Sequence, residues 1–131
     1  MTAFRRVTDG FAVSPQISPA DIEVAAADGV TLVINNRPDG EAPDQPAGAV
    51  IEAAARQAGL DYIHIPIAGR PNPEQVEAMR AAISQASGKV LAYCRSGTRS
   101  ITIWAMGAAE PREMVLSLSR AAGYDLSGML S

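Results

Sequence analysis

Cys94, the only cysteine of the chain, opens the run Cys94-Arg95-Ser96-Gly97-Thr98-Arg99-Ser100. Thiolate is the nucleophilic form of cysteine, and surroundings that stabilise negative charge select it. This run offers two guanidinium groups, Arg95 and Arg99, and small residues whose backbone N–H groups can face the sulfur where a helix begins. The same N–H groups can hold an oxyanion above the sulfur. The combination points to nucleophilic catalysis on an anionic substrate. A lone intracellular cysteine is ordinarily a small buried hydrophobe. The basic, glycine-bearing neighbours on a strand-to-helix turn set Cys94 apart from that case.

The two arginines are expected to differ in role, because so short a loop cannot easily turn both inward. Arg99, nearest the helix start, is the candidate for a bidentate oxyanion contact; Arg95 belongs at the rim, steering anions or pairing with an acid. Ser96, Gly97 and Thr98 are candidate substrate-binding positions. Ser100 either caps the following helix or donates a hydrogen bond to the Cys94 thiolate. Arg37 either reaches the same pocket or forms a surface ion pair with Glu41. Asp39 and Glu41 are candidate accessory acids if their loop folds over the site, while Pro38-Asp39-Gly40 alternatively reads as a solvated turn. His64, the only histidine, alternates with Ile63 and Ile65 and suits a structural hydrogen bond. One histidine and one cysteine supply too few ligands for zinc, and no metal or cofactor is expected.

These residues must be positioned by strands and helices that the pattern delimits. Phe4–Val7 and Phe11–Ser14 flank Thr8-Asp9-Gly10 as a hairpin. Ser18 reads as an N-cap with Pro19 at the first helical position and Asp21 at the third, opening a helix that ends near Gly29. Val30–Asn35 is a continuous, β-branched-rich run and hence a buried strand. Asn36–Gly48 is a loop, and Ala49–Ala58 a helix stopped by Gly59. Asp61–Ile67 reads as a strand with Ile63, Ile65 and Ile67 on one face. Pro73-Glu74 opens a helix to about Ala86, Val90–Tyr93 is a strand, and helices follow over Ser100–Ala109 and from Pro111 to Gly123, with Trp104 and Met106 in the core. Alternating strands and helices define an α/β fold with a central, mostly parallel sheet flanked by helices. Ligands of such sheets bind beyond the carboxyl ends of strands, where Cys94 falls.

With 131 residues, residues 1–131 read as a single domain. A net charge of −3 and dispersed arginines argue against a nucleic-acid surface. No stretch approaches a membrane span, and Met1-Thr2-Ala3-Phe4-Arg5-Arg6 lacks the apolar core of a secretion signal. One cysteine suits a reducing compartment, so a cytoplasmic location is expected.

Two enzyme families resemble the Cys94 run. Rhodanese-type sulfurtransferases commonly carry Cys-Arg-x-Gly-x-Arg followed by Ser or Thr, which Cys94 to Ser100 matches at every defined position. Protein tyrosine phosphatases carry Gly three positions after Cys, as Gly97 does, but Arg six positions after, where Ser100 stands. Asn35-Asn36-Arg37-Pro38 and Tyr62-Ile63-His64-Ile65-Pro66-Ile67 resemble the dual-specificity phosphatase layout, although the aspartate that usually follows Ile-Pro is missing. With Gly123-Tyr124-Asp125-Leu126, nearly the whole chain resembles the phosphatase-like domain of the bacterial β-lactamase-hydrolase-like proteins, which occurs alone or fused to a metallo-β-lactamase-type persulfide dioxygenase. The resemblance implies a protein tyrosine phosphatase-like fold, dual-specificity type. The short loop favours a rhodanese-like sulfurtransferase passing sulfane sulfur from thiosulfate or persulfide, through Cys94, to glutathione or a partner thiol. The alternatives are a phosphatase of phosphate monoesters and a non-catalytic oxyanion-binding module. The implied partners are the small anionic substrate and a persulfide dioxygenase-type protein, with no nucleic acid and no membrane.

Overall fold

The computed structural model describes residues 4–128; Met1 to Ala3, part of the segment read for a signal, lie outside them. The N-terminal hairpin pairs β1 (Arg5–Thr8) antiparallel to β2 (Phe11–Ser14). α1 (Pro19–Ala27) follows, with Ser18 and Asp21 forming the reciprocal capping box read from the sequence. Then come β3 (Val30–Asn35), α2 (Gly48–Gln57), β4 (Asp61–His64), α3 (Pro73–Gln85), β5 (Lys89–Tyr93), α4 (Thr98–Gly107) and α5 (Arg112–Ala121). The strands form one sheet in the order β1-β2-β5-β3-β4, parallel except for the β1–β2 pair.

Side-chain alternation along the central strands divides the core between two faces. On β5, Val90 and Ala92 join Phe11, Met79, Ile101 and Trp104 under α3, α4 and α5. Leu91 and Tyr93 join Ile22, Ile51 and Ala55 under α1 and α2. Trp104 stacks on Phe11 with ring centroids 5.8 Å apart, fixing α4 against β2. Met106, expected in the core with Trp104, is only half-buried and instead borders a cleft.

Two boundaries differ from expectation. β4 ends at His64, because Pro66 has no N–H to continue a ladder; Ile65 and Ile67 instead donate to the carbonyls of Asn35 and Asn36 at 2.8 and 3.0 Å. Ile63 therefore does not share a buried face with them: it is 37% exposed, whereas Ile65 and Ile67 are buried. The helix after Cys94 begins at Thr98 rather than Ser100, with Gly97 as its N-cap at φ 93°. That left-handed conformation suits glycine alone among common residues, and it lets the chain turn from strand to helix earlier than a side-chain cap would.

Register then brings the functional loops together. β3 and β5 are parallel neighbours with Asn35 opposite Tyr93. Arg37 and Cys94 thus leave adjacent strands at the same end of the sheet. No helix among the described residues is long and apolar enough to cross a membrane.

Candidate active site

Cys94 follows the last residue of β5 and is fully buried. Its Sγ accepts a hydrogen bond from the Gly97 N–H at 3.1 Å, the amide at the positive end of α4. The loop is tied down locally: the Thr98 N–H and the Ser96 hydroxyl bond at 3.4 and 3.1 Å to Ser96 Oγ and Thr98 Oγ1 respectively. From the C-terminal segment, Tyr124 donates its hydroxyl to the Ser96 carbonyl at 2.8 Å. Arg5 lies over the Tyr124 ring at 5.5 Å. A Cβ at Gly97 would overlap the Tyr124 hydroxyl, so glycine is required here for space as well as for φ.

Arg99 is the second residue of α4 and only partly exposed. Nη1 donates to Glu41 Oε2 and to the Ile67 carbonyl, each at 2.8 Å, and Nη2 donates to Glu41 Oε1 at 2.8 Å. Of the guanidinium's five donors, those bonds leave the Nε and second Nη2 N–H, which lie along one edge. The hydrogen bonds to Glu41, helped by the Cys94 sulfur within hydrogen-bonding reach, hold the guanidinium above its usual range. Those two remaining donors have the planar geometry that suits bidentate recognition of an oxyanion arriving at the sulfur.

Glu41 joins two arginines. Beyond its bidentate pair with Arg99, it accepts from Arg37 Nε at 3.1 Å. The Arg99 hydrogen bonds, with Arg37 adding to them, lower its carboxyl from 4.5 to about 2. Glu41 is therefore ionised at neutral pH and has no proton to donate. The accessory-acid expectation for Glu41 is corrected on this ground: it orients Arg99.

Arg37 is 4% exposed, so the expected ion pair with Glu41 joins a buried guanidinium to a solvent-facing carboxylate. Its Nη1 donates to Gln16 Oε1 at 3.0 Å, and its carbonyl accepts from His64 Nε2 at 3.0 Å, a structural role for the histidine. For Asp39 the solvated-turn reading holds rather than the accessory acid: it is exposed in the Asp39-Gly40 turn, and its Oδ1 accepts the N–H of Gly48, the first residue of α2, at 2.7 Å. Ser100 neither caps α4 nor bonds to Cys94: it lies in the first turn, fully buried, with its hydroxyl unpartnered. Arg95 and Ser96 are exposed at the rim, Gly97 is buried, and Thr98 is partly exposed.

Sequence reasoning brought Cys94, Arg99, Arg37 and Glu41 onto the page but not Gln16, Tyr124 or the Ile67 carbonyl. Tyr124 stood in the sequence only as part of a family-marking segment, since its docking on Ser96 depends on how α5 packs. Gln16 carried no signal beyond following β2, the strand beside β5.

A thiol at the carboxyl end of a central parallel strand, beneath a helix N-terminus and beside an arginine, defines a cysteine-based protein of the tyrosine phosphatase-like fold class. Residues 3–111 match the family described as beta-lactamase hydrolase-like protein, phosphatase-like domain, and the chain belongs to that family. Beta-lactamase hydrolase-like proteins from Xylella fastidiosa (strain Temecula1) and Agrobacterium fabrum are 36% and 33% identical over 125 and 126 residues. Each alignment covers 92% of this chain but 29% of the relative, so the chain spans less than a third of their length. A Neisseria meningitidis protein described as a candidate phosphatase superposes with TM-score 0.84 at 35% identity, covering 94% of this chain and 90% of that one. Tk-PTP in its active form shares the fold at TM-score 0.76 and 20% identity, covering 95% and 87%.

Proposed function

We propose that this chain is a cysteine-dependent phosphatase of phosphate monoesters. The observation that carries the reading is Arg99, clamped by Glu41 and the Ile67 carbonyl and within hydrogen-bonding reach of Cys94 Sγ. In the proposed reaction the Cys94 thiolate attacks phosphorus and the ester P–O bond breaks. The Arg99 edge and the loop N–H groups hold the non-bridging oxygens as charge builds on them. Water then attacks the phosphocysteine, the S–P bond breaks, inorganic phosphate departs and the water proton passes to solvent. Because Glu41 is kept ionised, it does not protonate the leaving oxygen. Esters whose leaving group departs readily as an anion, aryl esters above all, are the preferred class.

Sulfur transfer, favoured by loop spacing, becomes the second reading, and the Cys-x4-Arg spacing is the observation behind it. The preference for sulfur read from the shorter loop is weakened by Arg99, which reaches the sulfur despite its early position. The fold relationship to tyrosine phosphatases supports phosphoryl chemistry further. The test is a paired assay of purified wild type and Cys94→Ser, with phenyl phosphate against thiosulfate plus cyanide. Cys94-dependent phosphate release is expected. Thiocyanate formation without phosphate release would replace this reading with sulfur transfer.

A further inference from the structure

A cleft of about 400 Å³ opens against the first turn of α4, with Arg70, Pro71, Thr98, Thr102 and Met106 among its walls. Arg99 borders it too, so the cleft lies against the arginine assigned to the phosphoryl oxygens. Its chemistry has two parts: the Pro71 ring and Met106 thioether supply apolar surface, and Arg70 supplies charge. Among the described residues Arg70 has no hydrogen bond or ion pair, and none of the described walls is a carboxylate. Arg99 is already matched by Glu41, which leaves Arg70 as the uncommitted cation among the described residues of the cleft.

The segment carrying Arg70 is fixed at both ends. Before it, Ile67 donates to the Asn36 carbonyl at 3.0 Å and accepts from Arg99 at 2.8 Å. After it, Pro71 is buried, Asn72 caps α3, and Gln75 Nε2 returns to the Pro66 carbonyl at 3.0 Å. Only Ala68, Gly69 and Arg70 bridge these anchors as exposed residues. An unpaired guanidinium on so short a tether beside a phosphoryl site is placed to read a second negative charge.

We propose that this cleft is a leaving-group subsite selecting phosphate esters whose organic part carries a second anionic group, with Arg70 as the residue that reads it. The proposal rests on the phosphoester reading for its substrate class. An apolar spacer lies along Pro71 and Met106, and the distal carboxylate or phosphate meets Arg70 in a charge-assisted pair.

The test compares 3-(4-phosphooxyphenyl)propionate with its primary amide, which differ in the distal charge and scarcely in the leaving phenol. Affinity for Cys94→Ser protein is measured by calorimetric titration, and turnover is measured with wild type. The acid is expected to bind roughly tenfold more tightly than the amide, as one hydrogen bond to a charged group allows, and added salt should narrow the gap. Arg70→Gln should bring the ratio toward unity, and Arg70→Lys should restore part of it; in turnover the change should appear in KM rather than kcat. Equal binding of acid and amide, or a preference that survives Arg70→Gln, overturns the subsite. Arg70-dependent preference in binding without any Cys94-dependent turnover upholds the subsite and overturns the phosphatase reading instead.

Discussion

Replacing Glu41 by glutamine separates the two jobs of this carboxylate. Glutamine keeps one acceptor oxygen, but its amide nitrogen faces the Arg99 donors, so the paired 2.8 Å bonds cannot both survive. Arg99 loses its orientation, and the buried Arg37 loses its anion. The drop of the carboxyl from 4.5 to about 2 corresponds to a preference of roughly 3 kcal/mol for the ionised form. Solvent at a side chain 27% exposed reduces the usable share to about 1–2 kcal/mol. For a domain of this size that is a fall in Tm of roughly 3–8 °C. The folded-state value lies below the unfolded one, so this stability is fully present above about pH 4.5 and fades as pH falls toward 2. The assay is thermal unfolding of wild type and Glu41→Gln from pH 7 to 3, with aryl phosphatase activity at pH 7. The Tm gap should hold steady from pH 7 to about 5 and narrow below that, while kcat/KM falls roughly tenfold, a fraction of the loss from removing an oxyanion donor outright. A gap that stays constant to pH 3, or unchanged activity, would refute the clamp on Arg99.

Three further outcomes are expected. Arg99→Lys keeps the charge but loses the planar edge and should lower kcat/KM roughly tenfold to a thousandfold, whereas exposed Arg95→Lys should change it far less; equal losses measured in parallel would overturn the division of roles. Tyr124→Phe removes the hydroxyl bonded to the Ser96 carbonyl and should destabilise the fold by about 1 kcal/mol while reducing kcat more than it raises KM, as steady-state kinetics and thermal unfolding would show. Ser100→Ala removes a buried hydroxyl that has no partner, so thermal unfolding should find it neutral or up to about 1 kcal/mol more stable; a loss of activity without a loss of stability would show that the hydroxyl is used only when the S–P bond breaks and the Cys94 thiolate is released.

The elements were legible because their signals are local. Ser18 and Asp21 announce the start of α1, the β-branched Val30–Asn35 run announces β3, and the alternation of strand and helix leads to the parallel sheet. The nucleophile was legible for the same reason: Cys94, Gly97 and Arg99 lie within six consecutive residues. What stayed hidden depends on distance in the chain. Glu41 meets Arg99 across 58 residues and Tyr124 meets Ser96 across 28, contacts set by strand register and helix docking rather than by neighbouring residues. The Asp39 turn was legible, but its bond to the Gly48 N–H nine residues on was not, because that contact depends on where α2 begins. Ser100 misled because a small hydroxyl residue near a helix start resembles a cap, whereas Gly97, with positive φ, had already begun the helix.

The central claim is that Cys94 carries a phosphoryl group during turnover. Intact-mass analysis of protein quenched in acid within seconds of mixing with phenyl phosphate tests it directly, with a parallel sample exposed to thiosulfate. The account predicts a mass gain of one phosphoryl group with phenyl phosphate, located at Cys94 by peptide mapping and absent from Cys94→Ser. A gain of one sulfur from thiosulfate with no phosphoryl adduct, or an adduct that persists in Cys94→Ser, would contradict it.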